Sequence, residues 1–355
     1  MTDMRDEMLR TLDRIVEETL TPAARENGEA DPTPSTGQEA RGTLVLPLWK
    51  ALQDAGLLAI AGAGGDTDVT FNDAMALVRR SAYHAIPVPL GEAIVGRWLA
   101  TRAGLNLPDG HVGLALSAPD AVSGFDGDTV TVARDLSGPV LIAGSRAPGR
   151  EQLALLDLGS TVPKLSRNIA GELRQTFTLQ PPQAGQSIVA AVDNPGAAAD
   201  LFAAGALLRS VQMTGALDRT LEHCMVWVND RVQFGRQIGK FQAIQHQLAI
   251  LASEAAAAGA TVDQAVEASA AGPDSFTIAV AKARVGEAAG KAANIAHAVF
   301  GAMGFTREHT LHFSTRRLWA WRNEFGGEAF WQARIGRQFA MKGGDRLWET
   351  LTARG

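Results

Sequence analysis

One stretch carries residue types whose spacing could do chemistry: Arg231-Val-Gln-Phe-Gly-Arg-Gln-Ile-Gly-Lys-Phe-Gln242. It offers the planar donor fork of Arg231, the donor-and-acceptor amides of Gln233 and Gln242, and an aromatic ring at the Phe234-Gly235 turn. That set suits a flat ligand bearing phosphate. Phe241, Ile244, Leu248 and Leu251 recur at intervals of three and four, the apolar face of a helix, so Gln242, Gln245 and His246 must point elsewhere. A plain turn between two helices with a solvated arginine has the same composition. Chemistry alone leaves both readings open.

Other candidates carry less. Gly62 to Gly65 is not a phosphate loop, because no Lys-Ser/Thr follows and no G-x-G-x-x-G forms. The seven histidines show no metal spacing; His309 and His312 stand three apart, which suits capping or solvation as well as ligation. Arg316 and Arg317 beside Trp319 and Trp321 could meet a nucleotide, and ion pairing within the protein is the plainer use. No nucleophile elbow with Ser, Asp and His in order is present, so hydrolase chemistry is unsupported.

The elements that must position these residues fall into three texts. Met8, Leu12, Ile15, Val16 and Leu20 form one stripe of an amphipathic helix over 4–20 that ends near Pro22, and 23–43 reads as a loop. Further helices are expected over 46–58, 71–82 and 90–103. From Asp109 the text turns to short β-type runs at 111–117, 129–132, 140–142, 153–156 and 177–179, punctuated by Asp126-Gly127-Asp128 and Ser137-Gly138-Pro139. Pro195 closes this unit. Ala-rich helices then follow at 197–230, 240–270, 274–303 and 326–350, with a break and restart at Gly272-Pro273-Asp274. The fold class is mainly α: an N-terminal helical domain (1–108), a small middle β domain (109–195) and a C-terminal four-helix bundle (196–355).

With 355 residues the chain is long enough for two or three such units. A net charge of -5 gives no reason to expect nucleic acid or an anionic membrane as partner. A single cysteine, Cys224, cannot form an internal disulfide, which suits a reducing cytoplasm; its neighbours suggest a buried apolar role. The polar N-terminus suggests no secretory signal, and no run of 18 apolar residues suggests a membrane span.

The segment from Arg231 to Gln242 resembles the subunit-interface segment of acyl-CoA dehydrogenases. In that family the matching Arg, the polar residue two on, the Phe and the later Gln reach the FAD of a neighbouring subunit. Phe300-Gly-Ala-Met-Gly-Phe-Thr-Arg-Glu-His309 resembles the family's Gly-Gly-x-Gly-Phe/Tyr-Thr-x-Glu-His segment. There the glycines admit the flavin pyrophosphate; Gly301 and Gly304 match, while Ala302 replaces the second glycine and Ala298 a cofactor-binding Gln. Helices, then β unit, then bundle is also the family's layout. The resemblance is good over 200–340, faint over 44–60 and architectural between.

It implies FAD as cofactor, an acyl-CoA substrate and an electron-transferring flavoprotein as acceptor. It also implies a catalytic carboxylate in one of two places. In the last connection, gap-free matching puts Phe325 at that position, with Glu324 one residue away as a displaced base. In the first bundle helix the position is Gly205, and Asp200 is five residues off. The strands that would hold the flavin ring correspond to Leu114-Ala-Leu-Ser-Ala-Pro119 and Pro139-Val-Leu-Ile-Ala-Gly-Ser145, and all seven tryptophans lie outside the β unit. The family's Pro-Glu-x-x-Gly-Gly loop is reduced to Ala61-Gly-Ala-Gly-Gly65. The half of the site a subunit lends is therefore intact, and the half it owns is eroded. This asymmetry implies FAD at an interface with a second acyl-CoA dehydrogenase subunit, in a dimer or a dimer of dimers. A self-sufficient homo-oligomer using Glu324, and a non-catalytic acyl-CoA-binding scaffold, are the alternatives.

Overall fold

A computed structural model describes residues 2–21, 46–60, 69–107, 111–116, 129–133, 138–147, 150–159, 161–179 and 186–352. The expected loop at 23–43, the Ala61–Gly65 stretch, the turn at 126–128 and the Ser117–Pro119 end of the first β run lie outside them. Among the described residues the chain opens with helices α1 (Thr2–Thr19), α2 (Leu46–Asp54), α3 (Phe71–Tyr83) and α4 (Leu90–Arg102). The predicted stripe of α1 is the face that is buried, from Met8 to Leu20. A capping box starts α3: the Asp73 N–H donates to Thr70 Oγ1 (3.2 Å), and the Thr70 N–H returns to Asp73 Oδ2 (3.0 Å).

The strands are β1 (Gly113–Leu116), β2 (Thr129–Ala133), β3 (Val140–Ala147), β4 (Arg150–Asp157), β5 (Lys164–Arg167), β6 (Leu173–Thr178) and β7 (Ser187–Asp193). They form one sheet in the order β5-β6-β2-β1-β3-β4-β7, with β1 and β3 parallel and the other pairs antiparallel. The sequence reading missed β5 and β7. β5 is a short, largely exposed edge strand, Lys-Leu-Ser-Arg, without an apolar run. At Gly96 of α4 an added Cβ would stand 2.9 Å from the Val112 carbonyl oxygen, so glycine allows this helix to lie against the strand entry.

Beyond the sheet come α5 (Ala197–Asp230), a hairpin of β8 (Val232–Gln233) and β9 (Arg236–Gln237), α6 (Gln242–Ala268), α7 (Ser275–Phe300), α8 (Leu311–Asn323), α9 (Glu328–Lys342) and α10 (Leu347–Thr352). The break before α7 is capped as expected, Asp274 Oδ1 accepting from the Thr277 N–H at 2.7 Å. The sequence reading did not assign α8. The expected helix at 326–350 is α9 followed by α10, with a short 3-10 turn at Gly344–Arg346 between them. Helix α5 is buried along most of its first twenty residues and is the spine against which α3, α6, α7, α8 and the sheet pack. Among the described residues no helix is long and apolar enough to cross a membrane.

Candidate functional site

Two sites emerge, one facing outward and one buried. The outward one begins where α5 ends. Phe234 (φ 53°) and Gly235 (φ 78°) both occupy the left-handed region at the tip of the β8–β9 hairpin, the geometry of a tight two-residue turn. This leaves Phe234 89% exposed. The hairpin holds itself by backbone pairing and by Gln237, whose Nε2 donates to the Asn229 carbonyl (2.7 Å). Arg231, Gln233 and Gln242 are also exposed, and their side chains form no hydrogen bond within the described residues. Arg231 lies over the Trp227 ring, with Cζ 5.7 Å from its centroid, and Trp227 stacks on Phe300 at 4.8 Å.

That stack brings the second predicted segment to the first. Arg231, Gln233, Phe234, Gly301 and Ala302 line one open groove of ≈ 680 Å³; Gln242 sits at the start of α6, beside Phe241 and Ala243 of its wall. Gly301 (φ 63°) ends α7, is exposed, and has nothing within 4 Å of an added Cβ. Gly304 differs. It is buried, and a Cβ there would stand 2.9 Å from Phe300 Cβ, so the chain's own packing accounts for this glycine. His309 caps α8, its Nδ1 accepting from the Leu311 N–H at 3.0 Å, and His312 Nδ1 lies 2.9 Å from the His309 carbonyl. Burial pushes the His309 ring below its ordinary pKa, and the charges of His312 and Arg219 add to this. Cys224 is fully buried in α5, and that burial pushes its thiol up to about 12.

The buried site surrounds Glu324, at the end of α8. Its Oε2 accepts from Arg209 Nε of α5 at 2.6 Å, and its Oε1 from Arg174 Nη2 of β6 at 2.6 Å. Arg209 Nη1 also donates to Glu92 Oε1 (2.7 Å) and to Gln212 Oε1. Glu172 accepts from Arg174 Nη2 (3.0 Å), from Trp321 Nε1 (3.0 Å) and from Asn168 Nδ2 (2.8 Å), and Arg317 Nε lies 3.2 Å from its other oxygen. Three guanidinium groups thus face three carboxylates. Burial alone would raise the carboxylates, but the arginines prevail: Arg174, Arg317 and Arg209 hold Glu172 at about 2, and Arg209 and Arg174 hold Glu324 below its usual range. Burial opposes the charge on Arg209, yet Glu324 and Glu92 raise its pKa further. The pair Arg316-Arg317 is spent inside the protein: Arg317 Nη1 donates to the Phe313 carbonyl (3.0 Å) and Arg316 Nε to that of Ile169 (3.0 Å).

Next to this network the two positions named for a base meet. Phe325 takes φ 55°, and its ring fills the notch above Gly205: a Cβ there would lie 2.2 Å from Phe325 Cε1. The connection is fixed from beneath. Lys282 Nζ of α7 donates to the carbonyls of Arg322 and Gly326, both at 2.8 Å, and Trp331 Nε1 to that of Phe325 at 3.0 Å. Burial drives the Lys282 ammonium down to about 7 against the opposing charges of Glu328 and Glu324. Sequence reading picked out Glu324 but none of Glu92, Glu172, Arg174, Arg209 or Lys282. These are single charges scattered among apolar residues, and only the fold assembles them.

Comparison with known proteins gives the groove and the network a context. Residues 196–327 match the family described as acyl-CoA dehydrogenase, C-terminal domain. Over 112 residues, 32% of this chain, it is 35% identical to acyl-CoA dehydrogenase IpdE2 of Mycolicibacterium smegmatis, and similarly 36% identical to IpdE2 of Mycobacterium tuberculosis. These matches span only 35% and 34% of those relatives' lengths. Solved structures extend the likeness to the whole chain. The Tcur3481-Tcur3483 steroid ACAD G363A variant superposes with a TM-score of 0.77 at 20% identity, covering 96% of this chain and 99% of that one. The ChsE4-ChsE5 complex from Mycobacterium tuberculosis gives 0.76 at 20% identity, covering 96% and 98%.

Proposed function

We propose that this chain, whose residues 196–327 match the acyl-CoA dehydrogenase C-terminal domain, is a divergent member of that family and serves as the lending subunit of a hetero-oligomeric, FAD-dependent acyl-CoA dehydrogenase. Its outward groove would hold the pyrophosphate and adenosine side of an FAD whose ring lies in a partner subunit. One contrast carries the reading. The donors of Arg231, Gln233 and Gln242 are exposed without partners among the described residues, while the carboxylate next to the base position, Glu324, has both oxygens taken by arginines.

The residues of the groove fit that half of the cofactor. Arg231 offers a fixed charge and a planar fork to a diphosphate, and its place over Trp227 limits where the fork can point. Gln233 and Gln242 supply neutral donors, and the exposed Phe234 ring supplies a surface for a flat base. At Gly301 the backbone can be approached closely, because no side chain intervenes. FAD, when bound, supplies the acceptor for the β-hydride of an acyl thioester. The base that removes the α-proton must have a free oxygen and a pKa near the working pH. Glu324 offers neither, and Gly205 and Phe325 carry no carboxylate, so the base is assigned to the partner. That two of the similar structures carry paired names, Tcur3481-Tcur3483 and ChsE4-ChsE5, supports a second, different subunit. An electron-transferring flavoprotein would take the electrons.

The ratio of flavin to protein absorbance tests the proposal. Expressed alone, the chain should be colourless; co-expressed with its partner dehydrogenase subunit, it should yield a yellow complex with one FAD for each pair of unlike subunits. One FAD per chain in the isolated protein, with acyl-CoA oxidation abolished by Glu324→Gln, would instead establish the self-sufficient homo-oligomer. Flavin in neither preparation would leave the scaffold reading.

A further inference from the structure

A small cleft opens beside the arginine–glutamate network, whose Glu92, Glu172, Arg174 and Arg317 are among its lining residues. Its lip is the α3–α4 connection, with Ala82, Ala85 and Pro87, and its floor includes Glu92, Gln212 and Trp321. It has room for about four water molecules. Glu92 and Gln212 are 6% and 7% exposed, so both are more than nine-tenths buried. Arg209 Nη1 donates to one oxygen of each, which brings the two side chains to a single nitrogen and fixes the Gln212 amide with its oxygen toward the guanidinium. The remaining groups, Glu92 Oε2 and Gln212 Nε2, take no partner among the described residues, and both belong to side chains of the cleft wall. The approach is close: a Cβ at Gly91 would stand 2.7 Å from Leu208 Cδ1 and 3.0 Å from Gln212 Nε2, so the glycine lets α4 lie near these α5 side chains without displacing them. At the lip, Ala85 is held at φ 52°, a conformation non-glycine residues rarely adopt away from constrained sites.

We propose that this cleft binds the hydroxyl end of a small apolar molecule, the hydroxyl donating to Glu92 Oε2 and accepting from Gln212 Nε2. A buried carboxylate oxygen beside an amide N–H is a matched acceptor and donor, and an alcohol oxygen is the smallest group that serves both at once. A ketone satisfies only the amide and sets its oxygen against the carboxylate. A free carboxylic acid would bring a further negative charge into a network of three cations and three anions that already balances, and burying that charge is costly. The apolar lip then covers the carbon body.

The test is saturation-transfer NMR on the full chain with three probes of one shape: cyclopentanol, cyclopentanone and methylcyclopentane. Cyclopentanol should bind about tenfold or more tightly than the other two, the difference expected of a hydrogen bond to a buried charged acceptor. Gln212→Leu should weaken the alcohol and the ketone alike, the alcohol keeping its lead through Glu92 Oε2. Ala82→Leu fills the lip without touching a polar contact and should abolish binding of all three, which keeps the test intact should Gln212→Leu fail to fold. Equal binding of alcohol and ketone, alcohol binding that survives Ala82→Leu, or no saturation transfer from any probe would overturn the proposal. The last result would mean that the cleft holds water only.

Discussion

At the scale of single residues, the buried charges leave Glu324 no free oxygen where a catalytic interior needs a free base. A carboxylate that accepts from two guanidinium groups is stabilised in its ionised form, and its affinity for a proton falls accordingly. Glu324 is therefore a strut between β6 and α5, tying Arg174 to Arg209. Lys282 is the complementary case, a cation whose burial disfavours its charge while two backbone carbonyls occupy its hydrogens. Its folded pKa of about 7 lies below the ordinary 10.5, so between these values the unfolded chain binds the extra proton and stability rises with pH. The penalty is complete below pH 7 and has vanished above about 10.5. Against Lys282→Met, which fills similar volume and cannot titrate, the native protein should gain about 2 kcal/mol of relative stability between pH 7 and 9. Urea unfolding of both proteins at the two pH values checks this, and a parallel response would show that Lys282 keeps an ordinary pKa.

At the scale of elements, the α8–α9 connection is locked into α5 by a ring in a notch. The Gly205 and Phe325 positions are coupled by shape, since a methyl group at one needs the space of the ring at the other. Gly205→Ala should destabilise the protein by about 1–3 kcal/mol, the cost of overpacking a filled core. In the double variant with Phe325→Ala the loss should be smaller than the sum of the two single losses, because the cavity and the added methyl offset each other. Thermal unfolding of the four proteins measures the coupling, and strict additivity would mean that the ring leaves the notch freely. None of this lock was legible in the amino-acid order. The reading located α1 and α6 from their apolar stripes, and α2, α3, α4, α5 and α7 from apolar or Ala-rich runs between breaks. It missed α8, whose buried face mixes Leu311, Leu318 and Trp321 with Ser314, Thr315 and Arg317. The hydrophobic rhythm is hidden where the buried face carries polar groups, and one of them, Arg317, belongs to the network. The groove was legible for the opposite reason: Arg231 to Gln242 is contiguous, so a local pattern holds all its parts but the α7 terminus.

At the scale of the whole molecule, one site is exposed and the other is buried. A subunit that completed its own flavin site would need inward-facing polar groups free to meet a ring; here the Glu324 carboxylate is taken up by Arg174 and Arg209, while the exposed donors of Arg231, Gln233 and Gln242 remain free. Binding energy for the cofactor would then be shared between two chains, and flavin retention becomes a property of the assembly. Arg231→Ala separates this arrangement from one in which the groove is only a dimer contact. The side chain is exposed and makes no hydrogen bond within the described residues, so the substitution should leave the fold and its thermal unfolding unchanged to within about 0.5 kcal/mol. Loss of a charge-assisted contact to a diphosphate is worth about 1.5–3 kcal/mol, which is roughly ten- to more than a hundredfold in flavin affinity. The complex carrying Arg231→Ala should therefore assemble, elute at the native size and shed FAD on dilution, with activity returning on addition of excess FAD. Adding salt should weaken flavin retention in the native complex more than in the variant, because only the former holds the pyrophosphate by charge. If the variant complex keeps its flavin through gel filtration, Arg231 does not reach the cofactor and the groove belongs to the subunit contact alone.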